Sequence, residues 1–232
     1  MSSAIEWFLN DAKEGIILED DCLPAPAFFE YTAAMLDKYR DDERIGIISG
    51  TNMAPEVFFK ADYGFSKIIT CWGWATWLRT WKNYRLIPDL IKRNEVWVKE
   101  LGFKSLRNIE NSFERIHAGD IHTWDYQLLV QQLRAGQLTV VPRYNLVLNI
   151  GFDGNGTHFN TAKKPWWAPR YMYNFKGNWL RPVLIENSKC FDSHYLTSSH
   201  SAGGKLLRLW IRLQRLVCSE MQKRRKDRVR LG

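Results

Sequence analysis

Gly15-Ile16-Ile17-Leu18-Glu19-Asp20-Asp21 is the stretch that decides the fold. An apolar run this short, stopping abruptly in three acids, reads as a buried central strand that delivers carboxylates at its carboxyl end. Before it, residues 2–12 carry Ile5, Phe8 and Leu9 at helical spacing. After it, Pro24 and Pro26 open a second helix whose expected buried stripe is Phe29, Ala33, Leu36 and Tyr39. Ile45-Gly46-Ile47-Ile48-Ser49-Gly50 then forms a second apolar strand ending in small residues. Helix, strand, helix, strand is the alternation of an α/β protein with a parallel sheet.

The next segment is aromatic, with Trp72, Trp74, Trp77 and Trp81 within ten residues. Most of these rings belong in a core, and one or two could form a platform for a sugar or other acceptor. Residues 86–116 read as an amphipathic helix, and a further helix runs from Asp125 to Ala135, closed by Gly136. Two strands follow, Leu138–Val141 and Tyr144–Ile150, and then a loop with three glycines, Gly151 to His158. The loop is not a dinucleotide fingerprint, because its glycine spacing is wrong and no helix pattern follows. Residues 160–204 are rich in Pro, Trp, Asn and Ser and read as loop-dominated.

Composition bounds the function. The 232 residues are 45% hydrophobic, which excludes a disordered chain. The net charge of +8 is local: residues 205–230 hold ten Lys/Arg against Glu220 and Asp227, leaving 23 basic and 23 acidic residues elsewhere. A neutral body with no recognised binding motif argues against nucleic acid as a partner. On a helical wheel from Lys205, eight apolar residues from Leu206 to Val217 cover a wide arc, with Lys205, Arg208, Arg212 and Arg215 opposite. Followed by Lys223-Arg224-Arg225-Lys226, this fits an anionic membrane surface, and it equally fits a helix docked on the body with a solvated tail. The four cysteines are scattered without metal-ligand spacing, so a reducing compartment is expected. With no run of membrane-span length and no signal-peptide pattern, the expected location is the cytoplasm, peripheral on the inner membrane face if the tail binds lipid.

Three adjacent acids raise one another's pKa unless a cation or solvent relieves the repulsion. A magnesium or manganese ion does so with carboxylate, water and phosphate ligands, at the carboxyl ends of strands where open α/β sheets bind ligands. A plain solvated turn is the competing reading. Asp125, in the first turn of its helix, sits where the dipole favours an ionised base, although capping acids occupy the same place and Asp120 and His122 are neighbours.

In this order, Glu19-Asp20-Asp21, Ile47–Gly50, Cys71-Trp72-Gly73-Trp74-Ala75-Thr76-Trp77, Thr123-Trp124-Asp125 and Gly151–His158 resemble a GT-A glycosyltransferase. The chain is similar to bacterial nucleotide-sugar transferases related to the N-acetylglucosaminyltransferase that initiates complex N-glycans. The resemblance implies a GT-A catalytic portion over residues 1–160, a loop-rich extension over 161–204 and a basic tail over 205–232. It implies an α/β fold with a central, mostly parallel sheet and a C-terminal amphipathic helix. Asp21 would ligate a Mn2+ or Mg2+ ion, and Asp125 would deprotonate the acceptor hydroxyl. Glu19, Asp20, Trp72, Gly73, Trp74 and His158 would meet the nucleotide or donor sugar. The partners would be a nucleotide-diphosphate sugar and a glycan or lipid-linked acceptor. Only 18 residues precede Glu19, where such folds place about 90 at ~30 per β-α unit, so a truncated chain, weakly active or inactive alone, is expected. The alternative is a non-catalytic remnant that binds a membrane or a partner.

Overall fold

The computed structural model describes residues 1–54, 59, 61–84, 103–120, 123–152, 168–169, 171–174 and 179–192. His122, His158 and the tail from 205 onward lie outside the described residues, as does the first part of the expected 86–116 helix.

Helix α1 (Ser2–Ala12) turns Ile5 and Leu9 inward and ends at Lys13, whose φ of 67° swings the chain into β1 (Glu14–Ile17). A turn leads to the short β2 (Cys22–Pro24) and then α2 (Pro26–Lys38). Pro26 opens α2 because a first-turn residue needs no N–H partner, and Lys38 in its last turn complements the helix dipole. The chain continues through β3 (Ile45–Ser49), β4 (Tyr63–Ser66), β5 (Trp74–Trp77), α3 (Leu78–Trp81), α4 (Phe103–His117), α5 (Asp125–Arg134), β6 (Leu138–Pro142) and β7 (Val147–Asn149).

Five strands form one sheet in the order β1-β5-β3-β6-β4, and β2 pairs with β7 in a separate ribbon. The architecture is mixed α/β, but the expected mostly parallel sheet is corrected: three of its four pairings are antiparallel and only β3 with β6 is parallel. The cause is the aromatic segment. It supplies β4 and β5, and β5 inserts between β1 and β3 in the opposite direction. Strands β1, β3 and β6 still run the same way, so their carboxyl ends share one edge with the amino ends of β5 and β4.

Alternation along each strand divides the core in two. Ile17, Ile47 and Trp74 face α1, α4 and α5, packing with Leu9, Phe113, Leu128 and Leu133. Ile45, Ile48, Ala75 and Val140 face α2, packing with Phe28, Tyr31 and Met35. Each such fully buried large side chain contributes about 1.5–3 kcal/mol. The expected α2 stripe is half right: Leu36 and Tyr39 are buried, but Phe29 is 46% exposed and Ala33 is also exposed, and in the first turns Phe28, Tyr31, Thr32 and Met35 are buried instead. Within the 161–204 extension, described pieces pack on the body. Tyr173 N–H donates to Asn145 O at 2.8 Å, and Trp179 meets Tyr31 edge-on at 5.0 Å. No helix among the described residues is long and apolar enough to cross a membrane.

Candidate active site

The turn after β1 carries Glu19, Asp20 and Asp21, and Cys22 N–H closes it onto Glu19 O at 3.0 Å. Its far side is clamped by the β2–β7 ribbon, where Cys22 is opposite Asn149 and Ile150 N–H donates to Asp21 O at 2.8 Å. Asp20 projects into solvent, whereas Glu19 and Asp21 are half-buried. Gly151 lies against the Asp21 carboxylate so closely that a Cβ at that position would sit 2.5 Å from Oδ2. Only glycine leaves room for the carboxylate there.

Because β5 runs antiparallel to β1, with Ile17 opposite Trp74, the Trp72-Gly73 pair falls beside Leu18-Glu19. Gly73 adopts φ +69° and packs on Val147 and Leu18, so a side chain would be both strained and crowded. Its carbonyl accepts Gly50 N–H at 2.8 Å, and the Trp72 carbonyl accepts the Thr51 hydroxyl, which ties this segment to the end of β3. The half-buried Trp72 ring meets Phe152 edge-on at 5.8 Å. An aromatic pair therefore stands next to the acidic turn.

Asp125 begins α5. Its Oδ1 accepts the Thr123 hydroxyl and, at 3.0 Å, Tyr126 N–H, so its other oxygen is available as a proton acceptor. Beneath it, Trp124 stacks on Trp74 at 5.4 Å, and Tyr84 OH donates to Trp124 O at 3.3 Å. Trp74 is thus corrected as a surface residue of the pocket: it is fully buried, and its ring braces the wall that carries Asp125. Trp77 and Trp81 are buried as well, in line with a core role for most of the aromatic run.

Cys71 joins the two halves. Burial first, and then the neighbouring carboxylates of Asp125 and Glu19, push its thiol well above the usual range. The stacking of Trp124 on Trp74, itself paired with Ile17, sets the first turn of α5 near the turn after β1. Cys22 is also held neutral. Burial, together with Asp21 and Glu19, pushes it up to about 12 against an opposing backbone bond from Glu19, and Sγ donates weakly to Asp21 Oδ1 at 3.6 Å. Neutral thiols are poor ligands, so the oxygens of the acidic turn are the hard donors that magnesium or manganese prefers. Among the described residues no three His, Cys, Asp or Glu side chains form a complete cage. A single carboxylate with waters and substrate phosphates is a usual environment for these ions.

The structure therefore brings Glu19, Asp20, Asp21, Trp72, Gly73 and Asp125 to one end of the sheet, with His158 outside the described residues. Sequence reasoning assigned no role to Cys22, Cys71 or Phe152. Nothing in the local pattern marks them, since their place depends on the β1–β5 and β2–β7 pairings. No protein-family model and no curated protein matches the sequence.

Proposed function

We propose that the chain is the catalytic portion of a metal-dependent, inverting GT-A glycosyltransferase that moves a sugar from a nucleotide-diphosphate donor to an acceptor hydroxyl. The observation that carries the reading is the stacking of Trp124, next to Asp125, on Trp74, the strand partner of Ile17 just ahead of the acidic turn. In this reading Asp21 holds a Mn2+ or Mg2+ ion, which when bound would neutralise the charge of the departing diphosphate. Glu19 and Asp20 face the ribose and the ion's water shell. Trp72, with Phe152 at its edge, offers a flat apolar face to the sugar, and Gly73 lets that wall approach Leu18. Asp125 takes the acceptor proton on Oδ2 while Thr123 and the Tyr126 N–H hold Oδ1 in place. The acceptor is a glycan or lipid-linked glycan, and residues 205–230 hold the protein on an anionic membrane surface.

The test is nucleoside-diphosphate release from a panel of nucleotide sugars with Mn2+. Asp125→Asn should lower turnover by about 10²–10⁴-fold while leaving metal-dependent nucleotide binding intact. Asp21→Ala should remove both. Unchanged turnover in either variant overturns the role assigned to that residue.

A further inference from the structure

At the far edge of the sheet from the acidic turn, β4 and residues 180–188 enclose a cleft of about 580 Å³. Four strand spacings of about 4.8 Å separate β4 from β1, so the cleft lies roughly 19 Å from the acidic turn. Its accessible walls are apolar, with Leu180, Val183 and Leu184 64%, 95% and 60% exposed, over the buried rings of Phe59 and Phe65. Arg181 stands on the rim, within electrostatic reach of Lys38, Tyr39 and Tyr63.

Those groups form a donor cluster. Lys38 Nζ donates to Tyr63 OH at 2.8 Å, and the Tyr63 and Tyr39 hydroxyls are 2.9 Å apart. The Tyr31 hydroxyl, fully buried and close enough to feel both, has no hydrogen-bond partner among the described residues. Neither Lys38 nor Arg181 forms an ion pair among the described residues. Arg181 and Tyr63 line the same cleft, and Lys38 is bound to the Tyr63 hydroxyl, so both cations flank one phenol; burial first, and then the Arg181 charge, push the Lys38 ammonium down. Glu186 is on the cleft wall, Asp62 Oδ2 is taken by Leu180 N–H at 2.7 Å, and Asp42, which also faces Tyr39, is paired with Arg44 at 2.7 Å. The backbone that aims Arg181 is itself unusual. Trp179 is held at φ +49° with its ring against Tyr31, a conformation bulky residues seldom adopt without a surrounding that enforces it.

We propose that this cleft binds an amphiphilic phosphate, with the alkyl chain against Leu180, Val183 and Leu184 and the dianionic head on Lys38 and Arg181. Two uncompensated cations match a dianion better than a single carboxylate, and the phenol hydroxyls supply neutral donors beside it. The site is independent of the proposed transferase chemistry.

Decyl phosphate below its micelle concentration is the probe, titrated calorimetrically into the full-length protein beside decanol and inorganic phosphate. It should bind at one site at least about 100-fold tighter than either, since head and tail each contribute. Lys38→Gln/Arg181→Gln should weaken it by about tenfold or more, Arg181→Gln alone should show part of that loss, and changing Lys223–Lys226 to serine should leave the site's affinity unchanged. Equal binding of decanol, or undiminished decyl phosphate binding by the double variant, would overturn the assignment.

Discussion

Replacing Gly151 with alanine separates position from folding at the proposed metal ligand. The added Cβ would lie 2.5 Å from Asp21 Oδ2, 3.1 Å from its Cβ and 3.2 Å from its Cγ. Ordinary contact needs about 3.4 Å or more, so the carboxylate must retreat by about 1 Å, and misplacement on this scale costs about 10²-fold in rate. The intruded group is the end of a half-buried side chain, not backbone, and Gly151 does not need a left-handed φ. Stability should therefore change by under about 1 kcal/mol, partly offset by reduced freedom of the unfolded chain. Measured as metal-dependent nucleoside-diphosphate release and as Tm, the expected result is a loss of about 10²-fold in turnover with Tm within about 4 °C of the parent. Gly136→Ala is the counterpart. That glycine has φ +65° with nothing within 4 Å, so alanine there should cost about 1–2 kcal/mol and leave turnover unaltered. Parental turnover by Gly151→Ala would refute the claim that the Asp21 carboxylate must sit where it does.

Asp192 is buried and accepts Ser66 OH at 2.6 Å and Asn187 Nδ2 at 2.7 Å, so Asp192→Ala should cost about 2–3 kcal/mol by stranding those donors, read as a lower Tm. Burial also pushes the Asp192 carboxyl up, against the opposing hydrogen bonds of Ser66 and Asn187. A folded-state pKa above the unfolded value means the native state binds the extra proton, so stability should fall as pH rises from about 4 through that pKa. Asp192→Asn should abolish this portion of the slope in urea titrations, and an unchanged slope would exclude the residue as its source. Cys22, pushed up to about 12, should react with iodoacetamide at pH 8 about 10³-fold more slowly than a free cysteine. Peptide mapping that finds it labelled as fast as the exposed Cys190 would contradict this. Serine at 223–226 should weaken pelleting with anionic vesicles by about 1 kcal/mol for each charge removed, and undiminished pelleting would remove the membrane role of the tail.

Local pattern made much of this fold legible. Ile5 and Leu9, the wholly buried Ile45–Ser49 and the α5–β6 succession read from periodicity because each is a short element with a strong burial bias, whereas Gly15–Ile17 is a strand but not the buried central one expected: β1 lies at the edge of the sheet and only Ile17 in it is buried. The sheet's direction was not legible. Tyr63–Ser66 and Trp74–Trp77 are buried on both faces and aromatic, so no alternation distinguishes strand from core, and their insertion is a long-range choice. In α2, Leu36 and Tyr39 were placed correctly, but at the start of the helix packing in the core under the sheet turned Phe28 and Tyr31 inward rather than Phe29 and Ala33. At the site, the acids and Asp125 were visible as unusual charges. Trp74 was not separable from Trp72, since residues two apart share a face of a strand, and only the start of β5 at Trp74, paired with Ile17, buries one ring and leaves the other half-buried in the segment before it.

Paramagnetic broadening by Mn2+ with a nucleoside diphosphate tests the central claim most directly. In amide spectra of the full-length protein, residues 19–22, 71–73, 124–126 and 150–152 should broaden together and most strongly. Residues 63–66 on the opposite edge should broaden least, and Asp21→Ala should abolish the effect. Broadening that spares 124–126, or that survives Asp21→Ala, would contradict a single site shared by the acidic turn and Asp125.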